Sequence, residues 1–134
     1  MVRKEDRKEK DFAVLTDALK LTLHTIQVTS NPKVFIPQYS NITRKIVDFA
    51  ISIYHNCKVA NRTRLVEEFA GERKKLQNQA LSDCAELRSM VEISKSLFHI
   101  RTKRIKYWAS LITTVENRIR KWKESDSNRL RKSK

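Results

Sequence analysis

The sequence predicts an all-α fold, an antiparallel up-down-up-down four-helix bundle, and three observations lead there. One glycine and two prolines among 134 residues leave too few positions tolerant of positive φ for the tight turns of a β-sandwich or a glycine-rich phosphate loop. Four stretches carry apolar residues at helical spacing. The breakers fall between those stretches, and short connections force sequence neighbours to pack antiparallel. The length suits one domain, and 40% hydrophobic residues are enough to build a core. The division expected is a charged N-terminal arm over 1–10, a bundle over 11–124 and a basic, disordered tail over 125–134.

The first helix is expected from about Asp11 to Thr29, with Phe12, Leu15, Leu19, Leu23 and Ile26 as its inward stripe. Ser30-Asn31-Pro32 ends it. Between Pro32 and Pro37 regular helix is excluded, because each proline removes an amide donor and pushes its predecessor into extended geometry. Ser40 or Asn41 is the expected cap of the second helix, unless that helix begins a turn earlier, just after Pro37. Its stripe is Ile42, Ile46, Phe49, Ile53, Cys57 and Ala60, widened by Val47, Ala50, Ile51 and Tyr54. A stripe that wide exceeds one buried face, so homo-oligomer formation is expected to cover the surplus.

From Asn61 to Lys75 the chain turns charged and holds the sole glycine, Gly71. The stretch reads either as a loop or as the first turns of a long third helix. That helix is established by Leu76 and runs to about His99 or Ile100, with Ala80, Cys84, Leu87, Val91 and Phe98 on one face. Thr102 is the expected cap of the fourth helix, in which Ile105, Trp108, Ile112, Val115, Ile119 and Trp122 step alternately by three and four residues. This is the cleanest helical seam in the chain.

Catalytic and metal chemistry find no support in the residue pattern. His24, His55 and His99 lie on different helices or their ends, and none has an i, i+4 partner of the kind that grips a metal. Cys57 and Cys84 form no CxxC pair and sit inside apolar patterns, so they read as small buried hydrophobes of a reducing cytoplasm. No catalytic residue, cofactor, metal or small-molecule substrate is expected. A membrane span and a signal peptide are not expected either.

Charge speaks about partners. Lysine and arginine number 29 against 15 aspartates and glutamates, a net +14, and residues 101–134 hold 12 of the bases and only 3 of the acids. Arg101, Lys103 and Arg104 open the fourth helix, and Arg118, Arg120, Lys121 and Lys123 crowd its second half. The helix dipole favours cations near a C-terminus, but seven bases exceed that need. Arg104, Lys121 and Arg118 are expected opposite the seam, where they can neutralise phosphates through counterion release. Arg62, Arg64, Arg73 and Lys74 form a second basic strip before the third helix. Aromatic stacking platforms look thin, since Trp108 and Trp122 belong to the seam and only Tyr107 is a candidate for exposure. RNA, and DNA by the same backbone chemistry, is the expected partner.

The stretch Arg73, Leu76, Ala80, Asp83, Glu86-Leu87-Arg88, Val91, Ser94-Lys95 and Leu97, followed by Thr102-Lys103-Arg104-Ile105, Trp108, Leu111-Ile112, Val115, Ile119 and Trp122, resembles the accessory variability determinant (Avd) proteins of diversity-generating retroelements. It is also similar to the four-helix-bundle proteins encoded in ribosomal RNA intervening sequences. Asn31-Pro32-Lys33 fits the same pattern. The chain departs from it where the family commonly has a Gly-rich stretch, here Asn117-Arg118-Ile119-Arg120-Lys121. The resemblance implies a homopentameric barrel that binds template RNA and a partner reverse transcriptase and does no chemistry itself. The alternative is a structural or protein-interaction bundle of the intervening-sequence type, whose charge serves only solubility.

Overall fold

A computed structural model describes residues 4–132, with side chains described from Ala13 onward. It is all-helical: α1 spans Lys4–Thr29, α2 Ser40–Arg62, α3 Ala70–Leu97 and α4 Thr102–Lys132. Each helix packs against its two sequence or ring neighbours, α1 on α2, α2 on α3, α3 on α4 and α4 back on α1. Side-chain bonds give the directions. Thr25 meets Trp108 and Asp17 meets Arg118 across α1 and α4, while Arg73 meets Asp126 and Arg88 meets Glu116 across α3 and α4. Residue numbers rise in one helix as they fall in its neighbour, so the bundle is antiparallel.

The connections follow from their breakers. Asn31 Oδ1 accepts the Lys33 amide at 3.0 Å, a local turn that satisfies the backbone after α1. Ile36 is extended ahead of Pro37, and Pro37 opens a 3₁₀ turn, Pro37–Tyr39, that leads directly into α2. Neither Ser40 nor Asn41 caps α2: Tyr39 stands at the cap and makes no side-chain bond there. Thr102 is likewise already inside α4, since the Arg101 carbonyl accepts the first helical amides, those of Arg104 and Ile105. The charged stretch after α2 resolves into both readings: a connection up to Phe69, then α3 from Ala70. α3 closes with the Phe98 amide on the Ser94 carbonyl and with His99 at φ 54°, the left-handed geometry that usually calls for glycine.

α4 meets its expectation almost residue for residue. Trp108, Ile112, Val115, Ile119 and Trp122 are all buried, and Ile105 packs against them. α1 departs from its expectation. Leu19, Leu23 and Ile26 are exposed, Leu23 by 48%, while Val14, Ala18, Leu21, Thr22, Thr25 and Thr29 face the core. Two stripes on this helix are apolar enough to go inside, and the buried one carries threonines whose hydroxyls need partners. They find them: Thr25 Oγ1 donates to the Leu21 carbonyl and Thr29 Oγ1 to the Thr25 carbonyl, each at 2.8 Å. The Thr22 hydroxyl lies 2.8 Å from the Ala18 carbonyl and 3.0 Å from that of Ala50 in α2. Small residues at this contact let the two backbones approach closely, which branched leucines would prevent. Surplus apolar surface is therefore on α1, with only Ile51 exposed among the large apolar residues of α2. The Phe12 side chain lies outside the described residues.

Both ends of the bundle also differ from expectation. α1 starts at Lys4, within the stretch read as an arm. α4 runs through the supposed disordered tail to Lys132, with Asp126 buried, so that expectation is corrected for 125–132; Ser133 and Lys134 lie outside the described residues.

Candidate nucleic-acid interface

The eleven bases expected to bind nucleic acid do not converge. Arg101, Lys103 and Arg104 are exposed at the end of the bundle where α4 begins. Arg62, Arg64 and Lys74 are exposed at the opposite end, separated from them by roughly the 34 Å length of a 23-residue helix. Arg104 shares the helical line of Trp108 and Leu111 and is solvated because it sits at the end, not because it lies opposite the seam. Arg118 lies on the flank towards α1 and bonds Asp17 through Nε at 3.0 Å. Arg120 is exposed beside Glu116, 4.0 Å away, while Lys121 points outward and Lys123 is half-buried.

Arg73 is no surface residue. It is 4% exposed and donates from Nε and Nη2 to the two carboxylate oxygens of Asp126, at 2.7 and 3.0 Å. Its Nη1 reaches the Thr63 carbonyl at 3.0 Å, and the guanidinium lies 5.1 Å from the Trp122 ring centre. Gln77 and Arg129 donate to the same carboxylate at 2.9 and 2.5 Å. A bidentate, fully bonded pair of this kind is what allows two charges to leave water. The cluster ties the last turns of α4 to the start of α3 and to the connection after α2. Its residues keep the helical phase of the two seams: adding four and then three to Trp122 lands on Asp126 and Arg129, and the α3 stripe extends back through Gln77 to Arg73. The seam continues there in polar residues, so an apolar pattern could not register it.

A second buried carboxylate, Asp83, accepts from Ser52 at 2.6 Å, Asn56 at 3.1 Å and Gln79 at 3.1 Å, joining α2 to α3. Its charge, after burial, helps push the Cys57 thiol up to about 12 and also raises that of Cys84. Both thiols are fully buried and therefore poor nucleophiles.

What remains solvated on α4 is a coherent face. Lys103, Lys106, Arg120, Lys121, Arg131 and Lys132 are exposed along it, with Ser110, Thr113, Thr114 and Asn117 between them. Of the three acids of α4, Asp126 is buried and Glu116 is turned to Arg88, which leaves Glu124 as the one exposed carboxylate of that helix. Lys106, Arg131 and Lys132 were missed by the sequence reading, although their helical phase places them with Lys121. The end holding Arg62, Arg64 and Lys74 is mixed, with Glu67, Glu68 and Glu72 exposed beside the bases.

Set beside protein-family models, curated proteins and solved structures, the chain matches none. The retroelement resemblance thus rests on its sequence residues alone. No described helix is long and apolar enough to cross a membrane.

Proposed function

We propose that the protein is a non-catalytic, basic accessory protein that binds nucleic acid, template RNA and its cDNA, and a partner reverse transcriptase in a diversity-generating retroelement. The observation that carries nucleic-acid binding is the solvent face of α4, six exposed bases against one exposed acid. Neutralising phosphates releases condensed counterions, so such a face binds a backbone without reading its sequence. The reverse transcriptase and the pentameric assembly come from the resemblance. Exposed Ile26, Ile51 and Ile93 supply apolar surface that self-association can cover.

The test is RNA affinity by fluorescence anisotropy across a salt series, comparing the wild-type protein with Lys103→Glu/Lys106→Glu/Arg120→Glu/Lys121→Glu. Affinity is expected to fall steeply with salt, and the variant to lose most binding and flatten the slope by roughly one per phosphate contact removed. Salt-independent binding, or a variant that binds as the wild type does, refutes the proposal. A protein that assembles normally but binds no RNA at physiological salt is instead the protein-interaction bundle.

A further inference from the structure

Beside the basic face, α1 and α4 form a shallow depression of about 400 Å³, lined by Thr16, Leu19, Leu23, His24, Gln27 and Tyr107, with Lys20 at its side. Leu19 and Leu23 give it an apolar floor that faces solvent, and Tyr107 leaves 48% of its surface open. The tyrosine ring is not loose. His24 packs edge-on to it, centroids 5.0 Å apart at 80°, and next in sequence the buried Trp108 is pinned by donating Nε1–H to Thr25 Oγ1 at 3.0 Å. Trp108 itself lies edge-on to His24 at 6.4 Å. A half-exposed ring braced by a neighbouring imidazole is a preformed flat surface, so a ligand that stacks on it loses little freedom to the protein's own ordering.

The charges around it choose the ligand. Lys103 lies one helical turn before Tyr107 on α4, and Lys20 one turn before His24 on α1. Burial and the Lys20 charge both lower the His24 pKa, which favours the uncharged imidazole next to the ring. A flat apolar floor with a ring at its wall, amide and hydroxyl groups from Gln27 and Thr16 for a base edge, and cations within a turn on either side match one chemistry: a nucleobase on a phosphate backbone.

We propose that this depression is a stacking site for an unpaired nucleobase of a single strand, whose flanking phosphates meet Lys20 and Lys103. The site rests on the nucleic-acid reading and adds to it a preference for single strands, because a paired base keeps its faces inside the duplex stack. The full chain is tested with labelled oligo(dT), alone and annealed to oligo(dA), against Tyr107→Ala and Tyr107→Phe. Tyr107→Ala is expected to weaken single-strand binding roughly five- to a hundredfold and to leave duplex binding unchanged, while Tyr107→Phe, which keeps the ring, retains wild-type affinity. Equal losses on both ligands, or no loss on oligo(dT), overturn the stacking site while nucleic-acid binding stands. A wild-type protein that binds neither ligand overturns the nucleic-acid reading as well. A changed oligomer mass for Tyr107→Ala by sedimentation equilibrium assigns the depression to a subunit contact and overturns the proposal too.

Discussion

Asp126 is the residue whose removal says most about how this bundle is closed. Its carboxylate takes two bonds from Arg73 and one each from Gln77 and Arg129, at 2.5–3.0 Å, and is 5% exposed. Asp126→Ala leaves the Arg73 guanidinium charged and buried with no counter-charge, a change that costs about 3–5 kcal/mol. Whole domains of this kind are stable by only about 5–15 kcal/mol, so one substitution consumes roughly a fifth of the total or more. With a urea m-value of roughly 1.5–2 kcal/mol/M, the unfolding midpoint followed by far-UV circular dichroism falls by about 2 M at unchanged m. Ending the chain after Lys123 is expected to do the same, whereas loss of a disordered tail would cost nothing. Arg73→Met/Asp126→Leu removes the fully buried charge pair together, leaving only the partly exposed Arg129 and the Gln77 amide without that partner, and is expected to recover part of the loss. The reasoning is refuted if the single variant or the truncation stays within about 0.3 M of the wild type, or if the double variant is less stable than either single one.

Two further expectations follow from particular residues. His24 has its pKa lowered by burial and then by Lys20, from an ordinary 6.5. The unfolded chain therefore takes up the proton first, and stability falls as pH drops through about 6.5 until the folded imidazole titrates as well. Comparing urea midpoints at neutral and mildly acidic pH, the wild type is expected to lose more than His24→Gln; equal losses contradict this. The sole glycine and the sole positive φ among the described residues stand at different places. Gly71 lies in α3 at ordinary φ with open space where a Cβ would go, and His99 holds φ 54°. Gly71→Ala and His99→Gly are each expected to raise stability by about 0.5–1 kcal/mol, and a destabilised variant of either kind argues against the backbone geometry described.

The candidate interface was legible only in part. Lys121 is on the face where the sequence put it, because a helix with a clear seam fixes its own opposite face, whereas Arg104 and Arg118, expected there too, lie on the line of Trp108 and on the flank towards α1. Arg73 was misplaced because a charge inside a charged stretch looks solvated until its partner is known, and that partner, Asp126, lies 53 residues away. Tyr107 was named from the sequence as a candidate for exposure; what needed coordinates was His24 beside it and the leucines of α1 left facing out.

The sequence by itself determined that the chain is helical, that there are four helices with breaks between Pro32 and Pro37, within the charged stretch 61–75 and near His99, and which side of α4 is inside. These depend on local physics: proline and glycine scarcity, and an apolar stripe backed by a polar face. Tertiary structure alone decided which of two stripes of α1 is buried, where α4 ends and which arginine leaves the surface. In each of those cases the buried side chains are polar, Thr22, Thr25, Arg73 and Asp126, and a polar group can be buried only where a neighbouring turn or helix supplies its hydrogen-bond partner.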